Sequence, residues 1–417
     1  MKGGPAAMVI DQDAIARRID AEVAALARPP YSEPGDGVTR YAFTESYERT
    51  LGRVGGELER LGLEVERDPV GNLVARPGRR FFAVGSHLDS VRSGGPWDGV
   101  LGTLVGVELR RLGFDVGAVA WVEEEGAGFG EMLLGSRVAA GELDTADLEE
   151  RIFALDDGRS FADHCRAAGG SPERLEPSRD LMASFEGWIE VHTEQGRVLE
   201  DAGRRIGVVT AIAGYLHAEV EVRGAADHAG ATPMGLRHDA GLVAAEAMLA
   251  AEQAAGRAGR GTVATVGWIA LEPGAINVVP GRARFTLDIR SPDDAAVAEV
   301  ERAVRAAVRR SAGERGAEAS VQVRGRRSAT PLDRDLSSLL LEGARACGAE
   351  PLELVSGAAH DTMNVAPFAP SALVFVPCAD GVSHAPHESA DPADAALATE
   401  VVARALAILG RPRREEA

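Results

Sequence analysis

The chain has 417 residues, 45% of them hydrophobic and 26% charged, which is globular usage, excludes a disordered or fibrous chain and implies two or three domains. Lys and Arg number 45 against 64 Asp and Glu, and the resulting net charge of −19 repels phosphate backbones and anionic lipid, so neither nucleic acid nor a membrane is expected as a partner. Three widely spaced cysteines without a CxxC, a start (Met1–Asp13) with no apolar signal core and the lack of a long uncharged apolar run point to the cytoplasm.

Along the chain, Gln12–Ala27 and Thr44–Leu61 have helical spacing, the second closed by Gly62. Phe81–Gly85 is an apolar run too short for a helix and reads as a buried strand. Leu101–Leu112 follows as a helix and Val116–Val122 as another buried strand; Gly187–Val191 and Ala372–Val376 share that character. Apolar strands alternating with helices imply an α/β layer sandwich with a largely parallel sheet, in which function gathers at the carboxyl ends of the strands.

The middle of the chain changes period. Leu216–Arg223 and Arg282–Arg290 alternate apolar and polar residues, the mark of a half-exposed antiparallel sheet. Helical stretches at Asp239–Ala255 and Asp294–Arg310, with strands expected at Thr262–Ile269 and Ala319–Val323, complete the order β-α-β-β-α-β, a ferredoxin-like unit. This predicts an α/β domain of residues 1–213 and 327–417, interrupted by an inserted domain at 214–326, with Arg324–Arg327 as the returning turn. The tail Arg411–Ala417 reads as frayed charge.

Chemistry-bearing residues recur just past the apolar strands. GSHLDS carries His87 and Asp89, GGPWDGV carries Asp98, WVEEEG carries Glu123, Glu124 and Glu125, VHTEQG carries His192, Glu194 and Gln195, and GVSHAPHE carries His384, His387 and Glu388. GAAHD adds His360 and Asp361. Each alone has a plain explanation: a polar strand end, an N-cap aspartate, a solvated loop. Five such clusters together do not. Strand alternation puts Asp89 on the side of His87, where its carboxylate can accept the ring N–H. A nitrogen and oxygen donor set without thiolate suits zinc, manganese, cobalt or nickel in a hydrolytic site.

The order HxD, DG-aspartate, EEG, HxEQG, SHxxxE resembles the di-metal aminoacylase/carboxypeptidase clan. With DHAGATPM and SGAAHD it is most similar to the hydantoinase/carbamoylase-type amidases, over Ala14–Leu409. The resemblance implies a di-zinc exopeptidase-like α/β catalytic sandwich with an inserted α+β lid through which the chain forms a homodimer. It implies two divalent cations, one held by His87, His192 and a bridging Asp98, the other by Asp98, Glu125 and His384. Glu124 would be the general base and Asp89 the partner of His87. Gln195, His228, Asn277, Arg290 and His360 would meet the substrate, with His228 and Asn277 reaching across the dimer and Arg290 gripping a free carboxylate. Tyr215 and His217 are further candidates, and His164, His238 and His387 read as surface residues. The implied reaction is hydrolysis of an N-carbamoyl-L-amino acid to amino acid, ammonia and carbon dioxide. The alternatives are allantoate amidohydrolase, then β-ureidopropionase or an N-acyl amino-acid amidase. A non-catalytic scaffold would have no use for Glu124, and no GxxxxGK[ST] or strand-linked GxGxxG motif suggests nucleotide binding.

Overall fold

The computed structural model describes residues 9–150, 157–259 and 261–411. The chain divides into two compact units, one of residues 1–210, 332–354 and 360–417, the other of 211–331 and 355–359. The second unit thus begins at Ala211 rather than 214, runs on to Pro331, and takes in a short segment that the sequence pattern assigns to the α/β part.

In the first unit, α1 (Gln12–Leu26) and α2 (Glu45–Arg60) start on the side chains of Asp11 and Thr44, which accept the backbone N–H of Ala14 and Tyr47. β1 (Glu64–Arg67) and β2 (Leu73–Arg76) form an antiparallel pair. β3 (Phe81–His87), α3 (Val100–Arg111), β4 (Val116–Trp121) and β5 (Phe185–Thr193) follow, and Ser371–Val376 supplies a further buried strand. These strands belong to a nine-stranded sheet that is parallel at its centre, where β4, β3, β5 and Ser371–Val376 lie side by side. Its flanks are antiparallel: β2 against β4, and Gly207–Ile212 against Ser371–Val376. The expectation of a largely parallel sheet is corrected to that extent. The flank strand β1 reads Glu-Val-Glu-Arg, a charged edge that no apolar run announces.

The core is continuous on both faces of the central strands. Trp121, Phe185 and Trp188 pack on one face, with ring centroids 5.9–6.3 Å apart. Val84, Ala118, Ile189 and Val374 meet Leu101, Val105 and the buried helix Pro392–Ile408 on the other.

The second unit has the long strands and two helices its sequence predicts, with further short strands at Asp227–His228 and Val278–Val279. Gly214–Arg223 lies between Arg282–Ser291 and Glu318–Arg327, all antiparallel, and the helices Ala240–Ala258 and Asp294–Glu314 cover one face. Leu216, Ala218, Val220 and Val222 point into that core, as their alternation requires. The strand expected at Thr262–Ile269 is two short strands instead, Val263–Thr265 and Ile269–Glu272, both paired with Arg282–Ser291. Arg324–Arg327 is not a turn but the end of the strand Glu318–Arg327, whose exposed edge tolerates arginine. In the tail, Arg411 pairs with Glu186 and lies over Phe82, with its guanidinium carbon 5.5 Å from the ring centroid; residues 412–417 lie outside the described residues.

Candidate active site

The parallel strands all deliver their carboxyl ends to one edge of the sheet, so the loops after them meet. β3 ends on His87. β4 is followed by Glu123, whose φ of 53° turns the chain sharply, and then by Glu124 and Glu125. His192 lies in β5, paired in register with Phe375 of the next strand, and the turns beyond these two strands place Gln195 at φ 60° and His384 at φ 54°. Positive φ in three non-glycine residues is a conformation held by its surroundings, and it recurs here around one spot.

At that spot the side chains converge on Asp98, which is 4% exposed. One carboxylate oxygen, Oδ1, lies 3.0 Å from His192 Nε2 and 3.4 Å from His87 Nε2. The other, Oδ2, lies 3.3 Å from His384 Nε2, which is itself 3.3 Å from Glu125 Oε2. Glu124 Oε2 stands 3.6 Å from His87 Nε2. Three groups have donor atoms within 4.8 Å of one another: His87, Asp98 and His192; His87, Glu124 and Glu125; Asp98, Glu125 and His384.

The imidazole tautomers follow from their other nitrogens. His192 Nδ1 is 2.9 Å from the carbonyl of Thr193, and His87 Nδ1 is 3.1 Å from the carbonyl of Asp89. A carbonyl only accepts, so each Nδ1 carries a proton and each Nε2 is the nitrogen left to meet a cation. Both Nε2 atoms lie beside Asp98 Oδ1, which is buried without a hydrogen-bond partner, and that of His192 also accepts the Gly99 N–H at 3.2 Å. Acceptor against acceptor at 3.0 Å is repulsive unless a proton or a cation lies between. The donor set therefore fits a divalent cation, as its imidazole and carboxylate chemistry requires.

Without a cation, protons fill the same place: against the effect of burial, Glu124 with Asp98 and Asp89 raises His87 well above the ordinary imidazole range, and Asp98 raises His192. Burial, then the Asp98 charge, pushes Glu125 up to about 8, and burial aided by Asp89 does the same to Glu123. A hydrogen bond to Asp98 raises His384 to about 9, against the opposing effect of burial. Burial would also lift Asp98, but the surrounding histidines, His192 foremost, hold it well below the carboxylate range.

The supporting contacts differ from expectation in places. Asp89 does not take the His87 ring proton through its carboxylate, which is 3.8 Å away; its backbone carbonyl does, and its Oδ2 accepts the Glu125 N–H at 3.1 Å. Gln195 donates to Asp98 Oδ2 at 2.9 Å. Glu123 turns away and accepts the N–H groups of Gly128 and Phe129 at 2.7 and 2.8 Å. His360 is buried beside His192, its ring centroid 4.8 Å away. His387 is exposed and His238 is too, but His164 is not a surface residue: it is 8% exposed and packs against Phe43 and Phe129.

Two further residues support the site, Glu388 without an assigned role in the motif reading and Asn72 outside every motif. Glu388 accepts the N–H groups of Trp97 and Asp98, both at 3.0 Å, and Gly95 leaves room for it, since a Cβ there would sit 2.1 Å from its carboxyl carbon. Its signal was the glutamate of SHxxxE. Asn72 accepts the N–H of Val122 at 2.9 Å and donates to Asp68 at 2.7 Å, anchoring the strand end that carries Glu124.

In the second unit, His228 and Asn277 are exposed neighbours: Asp227–His228 pairs with Val278–Val279, and Ala229 donates to the Asn277 carbonyl at 2.9 Å. Arg290 grips Asp288, Nη2 to Oδ2 at 2.9 Å, and donates through Nη1 to the Gly357 carbonyl at 2.8 Å. Tyr215 stacks on His217, centroids 4.5 Å apart.

Residues 83–408 match peptidase family M20/M25/M40. The chain belongs to that family. It is 39% identical to an N-carbamoyl-L-amino acid amidohydrolase of Geobacillus stearothermophilus over 386 residues, 89% of this chain and 93% of that one. It is 31% identical to the allantoate amidohydrolase of Escherichia coli (strain K12), over 89% of this chain and 93% of that one. A hydantoinase/carbamoylase family amidase from Burkholderia multivorans superposes with a TM-score of 0.86 at 30% identity, covering 98% of this chain and 99% of the other. As an M20-family chain it carries candidate metal-binding groups, and no helix among its described residues is long and apolar enough to cross a membrane.

Proposed function

We propose that the protein is a metal-dependent amidohydrolase that converts N-carbamoyl-L-amino acids to the free amino acid, ammonia and carbon dioxide. The observation that carries this reading is Asp98, whose two oxygens face different imidazoles, with Glu124 beside them. The identity to the Geobacillus stearothermophilus enzyme supports the choice of substrate.

His87, His192 and Asp98 would hold one cation, and Asp98, Glu125 and His384 would hold a second. Zinc is the first choice, with manganese, cobalt or nickel as alternatives. Bound there, such ions would acidify a water and polarise the ureido carbonyl. Glu124 takes the proton of the attacking water and delivers it to the amino acid's nitrogen as the bond from that nitrogen to the carbonyl carbon breaks. The carbamic acid that leaves falls apart to ammonia and carbon dioxide. Asp89 fixes the His87 tautomer through its carbonyl, and we give His360 the task of orienting His192. His228 and Asn277, both exposed, and Arg290 are assigned to the substrate; beyond its three contacts, Arg290 keeps two of its five N–H groups for a carboxylate.

We further propose that the second unit is a lid that forms a homodimer. Its edge strand Ile269–Glu272 exposes Ile269 and Leu271 beside Trp268. The three free cysteines suit the cytoplasm. The second reading, allantoate hydrolysis, rests on the 31% identity to the Escherichia coli enzyme. Ammonia release by the metal-loaded protein separates the readings, measured on N-carbamoyl-L-amino acids, allantoate, β-ureidopropionate and N-acetyl amino acids. Turnover confined to the last three would reject the proposed substrate.

A further inference from the structure

A cavity of about 850 Å³ lies in the first unit between the β1–β2 hairpin, the turn at Arg79 and Arg80, and the stretch from Gly169 to Ser184. None of its lining residues belongs to the His–Asp–Glu cluster. Its wall is unusual for a chain of net charge −19: five guanidinium groups, those of Arg67, Arg76, Arg79, Arg80 and Arg174, line it.

The charges do not cancel locally. Three carboxylates share the wall, Glu66, Asp68 and Asp180. Asp68 is turned back on its own hairpin, where Oδ1 accepts the N–H groups of Val70, Gly71 and Asn72 at 2.9–3.0 Å. Glu66 holds Arg76 at 2.7 Å. Arg67 holds Glu48 through Nη1, yet its Nη2 is sheltered from solvent without a hydrogen-bond partner. Arg79, Arg80 and Arg174 are exposed, with no side-chain hydrogen bond or ion pair among the described residues. Three uncommitted guanidinium groups therefore face one uncommitted carboxylate, Asp180, around a hollow of the size that holds small molecules, about 300–1,000 Å³.

We propose that this cavity binds a small phosphorylated molecule. The planar guanidinium fork matches phosphate oxygens two at a time, and a concave wall focuses the positive field of several arginines onto one point. An acidic surface elsewhere excludes long polyanions by repulsion, so a compact ligand with one or two phosphates is the class that fits. The site is separate from the chemistry proposed above and does not depend on it.

The test is calorimetric titration of the metal-loaded full-length protein with fructose 1,6-bisphosphate at fixed ionic strength, with fructose as the uncharged control. Saturable binding with a Kd below about 1 mM is expected for the bisphosphate alone. The Arg79→Ala/Arg80→Ala double variant and Arg174→Ala should each weaken it about tenfold, the size expected for loss of a charge-assisted hydrogen bond. Asp180→Asn should tighten it, a gain that damaged folding cannot produce, and Arg309→Ala on the second unit should leave it unchanged. Absence of saturable binding, or binding that the cavity variants do not alter, would overturn the proposal.

Discussion

Glu388 holds Asp98 by its main chain: Oε1 of Glu388 accepts the Asp98 N–H at 3.0 Å, while Ser383 Oγ lies 3.0 Å from Glu388 Oε2 and 3.1 Å from Asp98 Oδ2. The residue on which both halves of the donor set converge is thus pinned at its backbone by one buried glutamate, and the Ser383 hydroxyl, with one hydrogen, can serve the Asp98 or the Glu388 carboxylate in turn. Removing the Glu388 carboxylate frees the loop 95–99 and leaves two buried N–H groups unpaired. Glu388→Ala should therefore weaken metal binding about 10- to 100-fold. Glu388→Gln keeps an acceptor oxygen for the Trp97 and Asp98 N–H groups and should restore much of that affinity. Metal titration monitored by an indicator chelator reads both, and equal affinity in all three proteins would show that Glu388 does not position Asp98.

Glu124 faces the cluster but is not shared between the imidazole groups as Asp98 is. Glu124→Gln removes the proton acceptor and keeps the shape. It should retain bound metal, by elemental analysis, and lose about 10²- to 10⁴-fold in kcat. Loss of metal together with activity would make Glu124 a ligand instead of a base.

Arg290 meets Asp288 and the Gly357 carbonyl with a planar fork that a lysine cannot reproduce. Both Arg290→Ala and Arg290→Lys should raise KM for N-carbamoyl amino acids by about tenfold or more, the scale of a lost charge-assisted contact. The matching N-carbamoyl amino-acid amides, which lack the carboxylate, should be affected far less. Equal losses on acids and amides would remove Arg290 from carboxylate recognition.

Much of this architecture is legible in the sequence because burial and periodicity write it there. The buried strands ending at His87, Trp121, Thr193 and Val376 are largely apolar runs, and the donors stand at or beyond their carboxyl ends. What escapes notice is set by distant partners. Asn72 stands in no motif, and two of its three partners, Val122 and Gly135, come from distant segments. Glu388 and His387 are adjacent and equally polar, and only the turn decides that the glutamate is buried and the histidine exposed. His164 looks like a surface residue because the aromatic rings that bury it, Phe43 and Phe129, come from other segments. The antiparallel flanks are missed where strands are short and charged, as in β1.

Asn72 offers a direct check on that lesson. Its side-chain oxygen accepts the Val122 N–H and its amide nitrogen reaches Asp68 and the Gly135 carbonyl, all buried. Asn72→Ala leaves these groups unpaired and should cost about 1–3 kcal/mol of stability in denaturant titration. It should also lower kcat, because the strand end carrying Glu124 loses its anchor. An unchanged unfolding midpoint would show that water replaces the amide.

The pH dependence follows from proton counts. Glu125 is raised from its ordinary 4.5 to about 8, and His384 from 6.5 to about 9. In the metal-free protein both groups keep a proton that the unfolded chain has released. Between those limits the folded state binds more protons than the unfolded one, so metal-free stability is present at low pH and declines as pH rises through these windows. A divalent cation must displace the same protons, so its affinity should climb with pH across the range 7 to 9 and level off beyond about 9. Melting curves of the chelator-treated protein should shift downward from pH 6 to pH 9, while the increment on adding zinc grows. The exposed His384 ring is partly screened by solvent, so Glu125 carries the larger share. Glu125→Gln should flatten both trends, and a metal-free melting temperature that rises with pH over this range would show that the carboxylate is already ionised in the folded protein.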